Sequence, residues 1–273
     1  VEKAVVHSMR ALTLSREIGD RDLEARSLHS LGLTHWARGR LTEALRHYSE
    51  CLAIVRQLGN RHGEVPTIVC LAETNCDAGR YQEADALARS AVAQSRVVGE
   101  RRHEVGGLEV LAMIDHRLGH HAAAIRDFTD ALRLAREIGF GYGELSILIG
   151  LCGAHRGAGR LPEALACGRE ASAGMQVSGT HLLQPRALTE LARAYLDSGD
   201  RDQAARHASE ALELARERGQ LLAEARALHV QGLLRQAEGD AAAARHRWRA
   251  ALELFVEIGA PEAEDLRPLF TAS

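Results

Sequence analysis

Glycine stands at every twentieth position of this chain, from Gly19 through Gly39, Gly59, Gly79, Gly99, Gly119, Gly139, Gly159, Gly179, Gly199, Gly219 and Gly239 to Gly259, without a miss. A residue free to adopt left-handed backbone, recurring at a spacing of several helical turns, closes one helix after another. A forty-residue period with a glycine at each half-period describes a stack of helix pairs. The expected fold is all-α, a solenoid of antiparallel pairs with helix A near 22–38 and helix B near 42–58, repeated every forty residues. The chain then divides into a half repeat (1–19), six pairs (20–59, 60–99, 100–139, 140–179, 180–219 and 220–259) and a C-terminal cap (261–273). Each repeat of such an array contacts only its neighbours, and the exposed faces bind partners.

Aligned on the glycines, the apolar residues fall into columns. Leu28, Ile68, Leu108, Leu148, Leu188 and Leu228 share one, and Leu31, Leu71, Leu111, Leu151 and Leu191 follow three residues on, with Gln231 in the last repeat. Beside them Gly32, Ala72, Ala112, Cys152, Ala192 and Gly232 are all small. Helix B contributes Ala44, Ala84, Ala124, Ala164, Ala204 and Ala244, and a column of changing size: Tyr48, Ala88, Phe128, Gly168, Ala208 and Trp248. Leucines next to small residues let two helices approach closely while the larger side chains fill the gap. Asp20, Asn60 and Thr180 are placed to cap A helices, and Pro162 falls in the first turn of a B helix. Pro66 and Pro185 fall near A-helix starts, so the prolines are expected to avoid helix interiors.

The spacing of Leu31, Gly32, Gly39, Ala44, Tyr48 and Cys51 resembles the tetratricopeptide repeat, as does that of Leu191, Ala192, Tyr195, Gly199, Ala204, Ala208 and Ala211. The period is forty instead of thirty-four, and glycine replaces the inter-repeat proline. The resemblance implies a right-handed superhelical solenoid whose A helices line a concave groove. It places His29, Leu33, Trp36, Val69, Glu73, Cys76, Glu109, Met113, His116, Ile149, Arg156, Thr189, Arg193, Leu196, His229 and Leu233 there. The long period and the arginine-rich composition are similar to the C-terminal arrays of actinobacterial AfsR/SARP-type transcriptional regulators. That similarity implies a regulatory module that binds a protein or peptide segment, such as another domain of its parent. A groove of this mixture reads as suited to an amphipathic helix or apolar ligand, without a repeated basic pattern for gripping a carboxylate.

Composition narrows the function classes. Lys3 is the single lysine, so a Walker A loop and a Schiff-base lysine are both excluded. The net charge of −3 points away from nucleic acid and anionic membrane. No apolar run approaches membrane-spanning length and the first residues do not read as a secretory leader, so a cytoplasmic location is expected. Cys51, Cys70, Cys76, Cys152 and Cys167 read as reduced thiols. His116, His120 and His121 lack a repeated carboxylate partner, and Gly119 separates the first from the others, so neither metal nor cofactor is expected. No catalytic motif is present and no enzyme is expected.

Gly150, Gly153 and Gly157 crowd one A helix, read either as a hinge or as close packing. A glycine-rich pocket for a small-molecule effector and a self-associating scaffold are the competing functions. The opening segment, with Ser8, Ala11 and Leu12 in helix B columns, reads as a fragment beginning inside a repeat. Pro261 opens an acidic segment in which Leu266, Leu269 and Phe270 are expected to fold back as the cap, at the true C-terminus.

Overall fold

The computed structural model describes residues 2–271, with side chains from 5 to 270, so the outermost residues of the half repeat and the cap lie outside the described residues. Helices alone are present among them: α1 (Glu2–Ile18), α2 (Arg21–Ala37), α3 (Leu41–Gln57), α4 (Arg61–Asp77), α5 (Tyr81–Val98), α6 (Arg101–Arg117), α7 (His121–Glu137) and α8 (Gly141–Gly157). They continue as α9 (Leu161–Ser178), α10 (Gln184–Asp197), α11 (Arg201–Arg218), α12 (Leu221–Ala237), α13 (Ala241–Ile258), α14 (Glu262–Leu266) and α15 (Pro268–Thr271). None of the described helices is long and apolar enough to cross a membrane. Two compact units result, Val1–Leu111 and Ala112–Ser273, with the division inside α6. Within each, helices consecutive in sequence pack together.

All the ladder glycines, and no other described residue, have positive φ, between 64° and 86°. The amide after the glycine reaches back to the preceding helix, as in Arg40 N to His35 O at 2.9 Å and Asn60 N to Val55 O at 2.9 Å. Asp20 and Asn60 accept from the amides of Leu23 and Gly63, both at 2.9 Å. A second device crosses five of the six joints that lead from a B helix to the next A helix. An arginine late in one helix donates from Nε to a glutamate in the first turn of the next: Arg16–Glu24 at 2.8 Å, then Arg56–Glu64, Arg96–Glu104, Arg136–Glu144 and Arg216–Glu224, each at 2.7 Å. Gln176 and Gln184 hold the corresponding positions between α9 and α10. There Arg218 donates to Gln184 Oε1 at 3.1 Å and to the carbonyl of His181, while Gln220 Nε2 donates to Leu182 O at 3.1 Å.

Two local expectations fail. Thr180 does not cap a helix: α10 begins at Gln184 behind Leu183, which puts Pro185 in the first turn, where its missing amide hydrogen costs nothing. Pro66 lies inside α4, where the His62 carbonyl lacks the amide an ordinary residue would offer.

The core runs along the expected columns, with Leu28, Ile68, Leu148, Leu188 and Leu228 all buried. Glycine makes room where helix B carries an aromatic ring. A Cβ on Gly32 would lie 2.6 Å from the Tyr48 ring, one on Gly150 2.5 Å from Phe128, and one on Gly232 inside the Trp248 indole. Where the column shrinks to Gly168, Leu191 and Cys152 fill the space. In the terminal segment Leu266 is buried and Phe270 lies under the Arg249 guanidinium, but Leu269 stays exposed.

Candidate functional site

The A helices of the first unit divide the expected groove residues into a cleft and a packed remainder. An open, mainly apolar cleft of 410 Å³ lies between α2 and α4, lined by His29, Leu33 and Arg26 with Cys51, Val55 and Pro66. Leu33 is exposed, and the His29 ring meets Tyr48 edge-on at 5.5 Å. Burial lowers the His29 pKa below the usual range, and the charge of His103 adds to the shift. Trp36 Nε1 donates to Asp77 Oδ2 at 3.1 Å, while Val69 packs on the core. Cys76 and Glu109 are buried, and Glu73 is half-buried.

The second unit brings four of its expected groove residues around one polar recess of 40 Å³, lined by Met113, His116, Ile149 and Arg193 together with Arg117, Arg186, Glu190 and Arg226. Met113 and Ile149 form its apolar wall. Glu190 stands opposite Arg156, with 4.0 Å between Oε2 and Nε, an ion pair too long for a hydrogen bond. Arg156 also donates to Asp197 at 3.2 Å. Burial alone would raise the Glu190 carboxyl, yet Arg193 and Arg156, with smaller contributions from His116 and Arg117, hold it at about 2. His116 and His229 are pushed down to about 4, chiefly by burial. Thr189 is buried, donating to Pro185 O at 2.8 Å, and Leu196 packs beside Leu191 and Tyr195. Leu233 is half-buried on α12.

A residue from beyond the repeats reaches two of the arginines that line the recess. Glu262, at the start of α14, accepts on Oε1 from Arg226 Nε at 2.8 Å and Arg117 Nη1 at 3.2 Å. Burial opposes its charge, but Arg226 and Arg117 hold the carboxyl at about 2. Arg117, Arg186, Glu190, Arg226 and Glu262 were not legible as site residues in the sequence. The arginines gathered here do not form the repeated basic pattern of a carboxylate grip. They come from different positions on α6, α8, α10 and α12, and only Arg186 and Arg226 share a repeat column.

Gly150, Gly153 and Gly157 of α8 each face a side chain. Gly150 meets Phe128, Gly153 lies where a Cβ would be 3.2 Å from both His116 and Glu190, and Gly157 backs onto His121. The backbone is regular helix from Gly141 to Gly157. His116 and His121 come together across the joint, their Nδ1 atoms 3.2 Å apart, contrary to the separation expected from Gly119. His120 turns instead to Asp115.

A family model described as tetratricopeptide repeat matches residues 1–57 and 143–217, and one described as anaphase-promoting complex subunit 5 matches 78–139. The chain is a tetratricopeptide-like helical repeat array. A search of curated proteins gives no match. Among solved structures, a Rap protein complexed with competence and sporulation factor is 13% identical, with 97% of this chain and 87% of that one covered and a TM-score of 0.69. The Rap conjugation gene regulator of plasmid pLS20, in complex with the Phr* peptide, is 14% identical over 89% of this chain and 77% of that one, with a TM-score of 0.71. NprR in complex with its cognate peptide NprX is 11% identical over 98% and 82%, with a TM-score of 0.70. At these identities the likeness is one of fold.

Proposed function

We propose that this repeat array is a non-catalytic sensor module that binds a protein or peptide segment along the inner faces of its A helices. In this reading it is the regulatory region of a larger cytoplasmic transcriptional regulator of the AfsR/SARP type, and binding shifts its parent between closed and open states. The observation that carries the reading is the recess of the second unit. It gathers arginines from four helices around fewer carboxylates, beside an apolar wall of Met113 and Ile149. Such convergence of charge at a partly apolar surface suits recognition of a chain with both kinds of side chain. The peptides held by the similar Rap and NprR structures support the same reading.

A small-molecule receptor is the second reading, favoured by the apolar 410 Å³ cleft between α2 and α4, a volume within the range of ligand pockets. Photo-crosslinking separates these from no binding role at all. Benzoylphenylalanine placed at Leu33 or Leu233 should capture a discrete protein or peptide in cells of the source organism, and the same group at the exposed Arg133 of α7 should not. Equal capture at all three positions, or capture at Arg133 alone, would remove the inner-face assignment.

A further inference from the structure

The five residues of α14 place a carboxylate where the repeats themselves supply almost none. Gly259 ends α13 with φ of 75°, Pro261 starts the next turn, and buried Ala263 and Leu266 anchor one side of α14. The other side delivers Glu262 to Arg226 and Arg117. Those two arginines come from helices far apart in sequence, and both point at a single carboxylate oxygen. The neighbouring arginines have other contacts. Arg193 has Glu190 as its main counter-charge, and Arg186 reaches only the sulfur of Met113, at 3.9 Å. On the acceptor side, Oε2 of Glu262 is buried without a hydrogen-bond partner. Glu190 Oε2 is likewise buried without a partner, yet by charge the recess stays positive: Arg117, Arg186, Arg193 and Arg226 face two carboxylates, Glu190 and Glu262.

We propose that this arginine recess is a recognition site for the carboxylates of an acidic peptide, and that α14 occupies it in cis as a tethered acidic segment. Arginine suits the task because its planar fork meets a carboxylate with paired donors. A buried guanidinium without a counter-charge is costly, so the site favours some anion at all times. Exchanging one carboxylate for another changes little in energy, and competition is then decided by tethering and by fit. A short tether gives α14 an effective concentration on the order of millimolar, which an incoming peptide must overcome. A peptide carrying two acidic groups could also engage Arg186 and Arg193, which Glu262 does not contact. Binding would release α14 and so report peptide occupancy to whatever the C-terminal segment touches.

The test uses a fluorescein-labelled peptide of residues 260–266, Ala-Pro-Glu-Ala-Glu-Asp-Leu, added to the full chain and followed by anisotropy. Glu262→Gln empties the site with little change in shape and should tighten peptide binding about tenfold over wild type. Adding Arg226→Gln should abolish that gain. Equal affinity in wild type and Glu262→Gln would overturn the proposal. So would equal binding of a peptide whose first glutamate is replaced by glutamine, or displacement by inorganic phosphate as effective as that by unlabelled peptide. Should Glu262→Gln fail to fold, amide exchange of the wild-type chain decides: exchange at residues 262–266 should rise as peptide is added, and an unchanged rate refutes release of α14. The inference rests on the peptide-binding reading. Crosslinks at Leu233 that do not depend on Arg226 would leave that reading standing and remove carboxylate recognition alone.

Discussion

Gly150 and Gly141 share one helix and respond to a methyl group in opposite ways. At Gly150 the new carbon meets the Phe128 ring at 2.5 Å in the core, whereas at Gly141 nothing lies within 4 Å. Gly150→Ala should cost about 1–3 kcal/mol by overpacking, and Gly141→Ala should gain about 0.5 kcal/mol from the lower entropy of the unfolded chain. Thermal denaturation of both variants checks this, and Phe128→Leu added to Gly150→Ala should recover part of the loss. Titration belongs to the same scale. His116 and His229, held near 4 by burial against a usual 6.5, prefer to bind protons in the unfolded chain. Their contribution to stability is complete above 6.5 and is lost as pH falls toward 4. Glu190 and Glu262, held near 2 against a usual 4.5, contribute above 4.5 and lose that contribution as pH falls through 2. A fall in melting temperature between pH 6.5 and 4.5 therefore belongs to histidines. His229→Asn should flatten that fall, and an unchanged slope would assign it to other groups.

Between helices, the joint is the unit that repeats, and one joint is built differently. The arginine–glutamate brace links partly exposed arginines to mostly covered glutamates, as at Arg96 and Glu104. A double-mutant cycle on that pair should give a coupling of roughly 0.5–1 kcal/mol that shrinks in high salt. Between α9 and α10 the brace is replaced by Arg218 and Gln220, which hold the turn from the following joint. Arg218→Met should accelerate amide exchange at residues 180–184 while leaving the turn after Gly99 unchanged, measurable by mass spectrometry. How much of this was legible follows from the range of each requirement. The ladder shows because left-handed backbone is a demand on one residue at a fixed place in the period. The core columns show because packing repeats with that period. The brace was present in the sequence as arginine and glutamate at constant spacing, but a reading of apolar columns passes over it. Pro66 and the late start of α10 depend on neighbours that do not repeat. The recess was hidden for a deeper reason: Arg117, Arg186, Arg193 and Arg226 are spread over three columns, and Glu262 lies outside the period, so only the folded chain brings them together.

For the whole chain, the organisation into two units has a thermodynamic consequence. Arrays held by nearest-neighbour contacts gain stability locally, and a substitution acts most strongly on the unit that contains it. The two tryptophans of the chain report separately, Trp36 from the first unit and Trp248 from the second. Trp248 is the more informative, since its indole fills the space over Gly232 and donates to His229 O at 3.2 Å. Labelling with 5-fluorotryptophan gives two fluorine resonances, assigned with Trp36→Phe. In a urea titration, Gly232→Ala should lower the midpoint seen at Trp248 well below its wild-type value and move that at Trp36 much less. Coincident midpoints, shifted equally by the substitution, would mean that the chain unfolds as one cooperative body. The distinction bears on function, because a recess confined to the second unit can open or exchange its occupant without unfolding the first only if the two respond separately.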